Sequence, residues 1–413
     1  MDRMRGAVYT PPVVDSVEDI MKTIIIYLAA SGLLASVAMA QTHYRITDLG
    51  PAGTPFASPQ ALNGNGLSSG VAVLSDGNQH AVLWYRGQVF DISQPGLGGP
   101  NSGAFGLNAS GLVLLQAEGA AKDPNNENFC GYFSGFTCLP ALWQNGSMTP
   151  LPLLGGYNGA VGNAVNARGE AVGAAETGVR DHDCPSGPLV NGDGPFQYDF
   201  EAVVWGPHIG QIRVLQPLSG DTVGMAFGIN DKGQAVGMSG LCSNTILPGF
   251  AAAPHAVLWD AAGTVHDLGN LGGTVDTAVV GAGNSALAIN NLGDVTGSSS
   301  LSDNATYHPF LWTEKTGMQD LGVLPGDNIG AGLGLNNQGD VVGVSVNGPD
   351  PLSGISRAAL WQNGEKFDLN ALALPGAPLY LLTACAINDA GVIVGIGVTG
   401  DGSLHGYMAT PSR

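Results

Sequence analysis

The sequence predicts an all-β fold, a β-propeller of about seven four-stranded blades, with the ring closed by pairing the N- and C-terminal strands. Three observations predict it: a turn that recurs seven times, a tryptophan-ended run that recurs six times, and two chain ends that are truncated in complementary ways. Composition agrees. There are 64 glycines in 413 residues and only 11% charged residues, which suits short strands joined by tight turns and is too apolar, at 44%, for disorder.

The recurring turn is an Asn followed three residues later by Gly, at Asn63, Asn108, Asn166, Asn230, Asn290, Asn336 and Asn388. Leu, Val or Ile precedes each Asn, and Ala or Gly precedes that residue in all seven. Asn at the first and Gly at the fourth position is a type I turn preference, and Gly accepts the positive φ of an adjoining bulge. The flanks, such as "ALAIN" and "GDVVG", are β-prone, so each unit begins with a hairpin. The small residue before the turn places that strand where space is tight.

The second anchor is "HAVLW", spelled identically at 80–84 and 255–259, with "HPFLW" at 308–312. Trp84, Trp143, Trp205, Trp259, Trp312 and Trp361 each end such a run and are all the tryptophans of the chain. A "DL" or "DI" follows at Asp91, Asp267, Asp320 and Asp368, and units two and three lack it. Each unit thus offers four strands. His80, His255, His308 and His405 start the third strand in different blades, too far apart to share one metal, and read as structural.

The last unit has its hairpin at Asn388 and an "HGYMA" strand but no "DLG", while "YRITDLG" at 44–50 has no hairpin before it. The two fragments sum to one blade, as a closed ring requires; a solenoid would need capping repeats instead. Ahead of the ring, 1–20 read as an over-called start. Residues 21–40 read as a signal peptide cleaved after Ala40, with Lys22, an apolar core and an Ala38-Met39-Ala40 site. Removing 1–40 leaves 11 basic against 29 acidic residues, a net charge of −18. That charge repels nucleic acid and anionic lipid. A secreted, extracellular or periplasmic monomer with no membrane span after signal removal is expected.

The pattern "G-x-A-x-x-[LIV]-N-x-x-G-x-V-V-G … H-A-F-L-W … DLG-x-LGG" resembles the bacterial HAF extracellular repeat, best at "HPFLW" from His308 and "DLGNLGG" from Asp267. The resemblance covers about 44–409, one repeat domain. It implies secretion and a repeat fold, and it supplies no catalytic residue.

Function is expected where the blades differ. From the turn Asn to the Trp the spacing is 35 in unit two (Asn108 to Trp143), 39 in unit three (Asn166 to Trp205) and 29 in unit four (Asn230 to Trp259), against 21 in unit one (Asn63 to Trp84). Three consecutive blades therefore carry insertions in the strand-two-to-strand-three connection, at about 117–138, 176–200 and 240–253, all on one face. They hold four of the five cysteines. In an exported protein these pair as Cys130–Cys138 within one insert and Cys184–Cys242 between two. Cys385 falls in an inner strand as a buried free thiol.

Candidate binding residues are Asp181, His182, Asp183, Asp193 and Asp199, whose oxygens and imidazole suit Ca²⁺ or Zn²⁺ though their spacing matches no EF-hand. Tyr132, Phe133 and Tyr198, with Phe129, Phe136 and Phe196, suit stacking on a sugar or peptide, or packing of the loops on each other. No G-x-S-x-G, H-E-x-x-H or P-loop occurs. The leading reading is a non-enzymatic propeller that binds a glycan or protein ligand through these loops, without a cofactor unless Ca²⁺ is bound. An extracellular carbohydrate-active enzyme, a lyase or hydrolase, is the alternative.

Overall fold

The computed structural model describes residues 41–50, 56–94, 96–184, 197–244, 254–273, 283–348 and 354–412. Residues 1–40, which include the segment read as a signal peptide, lie outside them. Seven four-stranded antiparallel sheets form the ring, and in six of them each strand is paired to the next in sequence. Ala57–Leu62, Ser68–Val73, Gln79–Tyr85 and Gln88–Asp91 make blade one, innermost strand first. Blades two to six repeat that order from inner strands Gly98–Leu107, Gly159–Val165, Val223–Ile229, Ser285–Ile289 and Ile329–Leu335. Blade seven takes Tyr380–Ile387, Ile393–Val398 and Leu404–Ser412 from the C-terminus and its outer strand, His43–Asp48, from the N-terminus. Ile46 pairs with Ala409 and Asp48 with Tyr407, so the ring closes as the truncated ends require.

The turn asparagines hold the ring at its axis. Each Asn side-chain Oδ1 accepts the backbone N–H groups two and four residues on, at 2.9–3.1 Å. Each carbonyl accepts the N–H of the turn Gly, whose φ lies between 73° and 103° in all seven blades. Each Nδ2 donates to the carbonyl of the next blade's Asn at 3.0–3.5 Å, and Asn388 donates to Asn63. This is a closed circuit of seven bonds, with every Asn only 3–7% exposed. A partial second circuit lies beside it, in which Asp231, Asn291, Asn337 and Asp389 each accept the corresponding backbone N–H of the preceding blade.

The circuit explains the small residue two before each Asn. A Cβ on Gly106 would lie 3.1 Å from the carbonyl carbon of Ala164, and one on Gly334 would lie 2.9 Å from Cα of Ala386. These are the equivalent residues of the next blade, so adjoining inner strands touch backbone to backbone there. Farther out, the aliphatics and the tryptophans fill the space between sheets. Trp84, Trp205 and Trp259 are at most 1% exposed. Trp84, Trp205, Trp259 and Trp361 each donate Nε1–H to a carbonyl of the chain entering their blade, at Leu49, Pro152, Gln216 and Gly322.

The repeated His and Asp belong together. His80, His255, His308 and His405 meet Asp91, Asp267, Asp320 and Asp48 at 2.9–3.3 Å, each pair within one blade. The same Asp residues accept the N–H two residues on, which turns the chain toward the next blade. In blade six Arg357 replaces His and pairs with Asp368 and Asp327. Register places Leu139 opposite Ala117 and Glu201 opposite Ala175 at the histidine position of blades two and three, and these are the blades without the Asp.

Two outcomes test this architecture. Asn108→Ala orphans the N–H groups of Ser110 and Leu112 and breaks the circuit at the carbonyl of Asn166, which keeps only the Gly169 N–H, so urea unfolding should show a loss of about 1–3 kcal/mol. Deleting residues 43–48 leaves Leu404–Ser412 as an open edge, so size-exclusion chromatography should show a shift to species larger than the parent.

Candidate functional site

A large cavity runs along the ring axis, with a volume of about 1360 Å³. Its wall follows from an irregularity shared by every inner strand. The ladder between strands one and two slips at the third residue before the turn Asn in each blade. A bulge leaves that residue outside the pairing and re-aims it. The seven are Gln60, Phe105, Asn163, Phe227, Leu287, Leu333 and Cys385, and all of them line the cavity. Cys385 is therefore half-buried at the cavity wall, where desolvation pushes its thiol up to about 12. Sequence reading missed this girdle. Its signal was a freely varying position inside an otherwise regular repeat.

The described parts of the inserts lie at the opposite end of the ring from the Asn turns, where strand two leads to strand three. Much of what the spacing marks as loop continues the strands: Val113–Lys122 pairs Phe136–Gln144, and Ala171–Arg180 pairs Tyr198–Trp205. The loop at 123–135 remains, and its residues 129–133 line the cavity. Cys130 is bonded to Cys138, and Cys184 to Cys242, as expected. The four cysteines pack in one apolar cluster with Phe129, Phe200, Val223, Met225 and Phe227, so blade-two and blade-three inserts are anchored on the inner strand of blade four.

A buried carboxyl cluster, which the sequence did not reveal, locks the inserts together. Asn158, fully buried, donates Nδ2 to Asp123 at 2.8 Å, Glu176 at 3.1 Å and Glu127 at 3.4 Å. Its Oδ1 accepts Cys138 N–H. Glu127 Oε1 accepts Gln197 N–H from the blade-three insert at 2.7 Å. Glu176 Oε2 accepts the N–H groups of Tyr157 and Asn158, and Glu118 Oε2 likewise accepts Asn101. These two glutamates tie the incoming chain in the blades that lack the His–Asp pair. Glu127 is 0% exposed; burial, a hydrogen bond with Glu176 and the charges of Glu176 and Asp123 push its pKa up to about 9. Burial and the neighbouring carboxylates thus favour its neutral form.

The sequence-predicted residues divide. Burial, a hydrogen bond with Asp181 and the charge of that carboxylate raise Asp199 to about 6. Burial and the charge of Asp199 raise Glu201 to about 7. Asp181 also accepts Asp183 N–H and the Thr222 hydroxyl. His182 and Asp183 are exposed, and Asp193 and Phe196 lie outside the described residues. Asp181, Cys184 and Cys242 bring ligand atoms within 4.8 Å of one another, but the two sulfurs are bonded together and neither is a thiolate ligand. Among the aromatics, Phe129 packs edge-on to Phe200 at 6.1 Å. Tyr198 meets Tyr157 at 6.1 Å. Lys122 sits over Phe136 at 3.5 Å. Tyr132 faces the cavity half-buried, and Phe133 stands 57% exposed at its wall.

No family model matches the chain, and no curated protein does. Among solved structures it is similar to a puromycin-hydrolyzing peptidase of Mycobacterium tuberculosis, at 13% identity and TM-score 0.40, covering 88% of this chain and 53% of the peptidase. The chain thus spans about half the peptidase's length. It is also similar to a mutant of AofleA from Arthrobotrys oligospora, at 10% identity and TM-score 0.37, over 89% and 86% of the two chains. A third is an Aleuria aurantia lectin mutant in complex with Fucalpha1-6GlcNAc, at 10% identity and TM-score 0.32, over 87% and 96%. None of these likenesses bears on ligand or activity.

The carboxyl cluster has a definite pH signature. Between about pH 4.5 and 9 folded Glu127 holds a proton that the unfolded chain has released, so stability falls as pH rises through that window. Glu127→Gln keeps an acceptor for Gln197 and a donor for Glu176 and removes the titration. Melting scans should show the variant more stable than the parent at pH 8, with the advantage vanishing near pH 4.

Proposed function

We propose that this chain is an exported, non-enzymatic binding protein of the HAF-repeat kind that takes a glycan or protein ligand at the insert-bearing mouth of its axial cavity. The observation that carries this is a built loop at an open cavity. The blade-two insert is fastened by a disulfide, by Asn158 and by an apolar cluster, and it lays five consecutive residues along the wall. Loops on a rigid ring are where binding concentrates. Two disulfides suit an oxidising compartment and support export. Glu127 and Glu176 are sealed at 0% and 1% exposure and serve as struts.

A second reading rests on one observation. Asp199 and Glu201 carry raised pKa values near 6 and 7, the range a general acid needs, and Glu201 Oε2 is buried with no hydrogen-bond partner among the described residues. Enzymatic release of reducing ends from glycans, lost in Glu201→Gln, would favour the carbohydrate-active alternative.

The binding reading predicts that filling the girdle abolishes binding. Leu333→Trp places an indole into the cavity at the waist. Screening the mature chain on glycan and peptide arrays should give retained ligands that this variant no longer holds at equal melting temperature.

A further inference from the structure

Phe133 is held in a backbone conformation and a setting that a purely structural residue would avoid. Its φ is 55°, in the left-handed region where a bulky side chain is a genuine outlier. Its ring is 57% exposed, so it contributes little to any core. The loop around it is over-determined. Phe133 N–H donates to Asn128 Oδ1 at 2.9 Å, and Asn128 is itself 5% exposed. Gly131 and Gly135 take φ of 76° and 69° on either side. Asp123 N–H closes on the Gly135 carbonyl, and Lys122 Nζ donates to the Ser134 carbonyl at 2.6 Å. Strain kept by so many restraints marks a presented side chain.

The wall that Phe133 joins selects a class of ligand. Among the described residues lining the cavity the only charged ones are Asp231 and Asp389. Both belong to the second circuit at the Asn-turn end, with Oδ1 already accepting a neighbouring blade's N–H. The rest of the lining is aromatic, aliphatic, amide and hydroxyl, including Gln60, Gln79, Asn163 and Ser285. Ser285 is 2% exposed and its Oγ has no hydrogen-bond partner among the described residues. Flat apolar faces beside neutral donors and acceptors match a pyranose, whose C–H face stacks while its hydroxyl rim bonds amides. The mature chain's net charge of −18 repels uronic and sialic acids.

We infer that the cavity mouth is a subsite for neutral oligosaccharides, with Phe133 as the stacking platform for one pyranose ring. This rests on the binding reading above and deepens it. The test uses the mature chain on an array of neutral hexose and hexosamine oligosaccharides beside sialylated, uronic and peptide probes. Titration calorimetry follows with the best-retained neutral oligosaccharide and the variants Phe133→Gly, Phe133→Trp and Leu333→Trp. Phe133→Gly should bind at least about tenfold more weakly yet melt no lower than the parent, because glycine relieves the positive φ. A residue that served only packing would lower the melting temperature instead. Phe133→Trp should restore binding. Retention of none of the neutral oligosaccharides at about 1 mM, retention of acidic glycans or peptides alone, or unchanged affinity in Phe133→Gly overturns the inference. Loss of binding in Leu333→Trp with none in Phe133→Gly leaves the cavity reading standing without this platform. Loss in neither variant removes both.

Discussion

The circuit of asparagine amides around the axis is the constraint on which the rest of the ring depends. One side chain does two jobs. Its Oδ1 completes the turn that ends the inner strand, and its Nδ2 reaches the same turn in the next blade. Because Asn388 reaches Asn63, the circuit has no end, and a buried amide must find both its donor and acceptor partners. Inner strands are therefore held at one radius and one height. At that radius only Ala or Gly fits two residues before the Asn, since neighbouring backbones meet there. One residue earlier the ladder slips, and the side chain is turned out of the pairing into the cavity. The strictest positions of the repeat thus create its freest one, and the girdle takes Gln, Phe, Asn, Leu or Cys without disturbing the scaffold.

Blades two and three depart from this symmetry in a connected way. Elsewhere a His–Asp or Arg–Asp pair fastens strand three to strand four and aims the chain at the next blade. Here both partners are lost, and a glutamate in strand two takes the incoming N–H groups instead. A buried glutamate accepting N–H groups leaves its other oxygen free to hold the loops, and Asn158 collects Asp123, Glu127 and Glu176 about one amide. Three carboxylates at that spacing cannot all be ionised without water, so one retains its proton. The outcome is a rigid insert, closed by a disulfide, that carries an aromatic ring to the cavity wall.

The architecture was legible in the sequence because each of its elements is local and repeats. Asn-x-x-Gly specifies a turn by backbone sterics alone, Trp and aliphatics at fixed spacing specify an inter-sheet layer, and complementary ends specify closure. Even the cysteine pairing was legible, since four of the five cysteines fall in three inserts that one topology brings to one face. The candidate site was legible only in part. Asp181, Asp199, Tyr132 and Phe133 do reach the insert face, but no sequence rule separates a carboxylate in water from one sealed against Asn158, because burial depends on what the neighbouring blade places over it. The axial girdle and the positive φ of Phe133 belong to the same kind. Both arise where chain segments far apart in sequence meet around an axis, and only the tertiary structure decides which side chains face it.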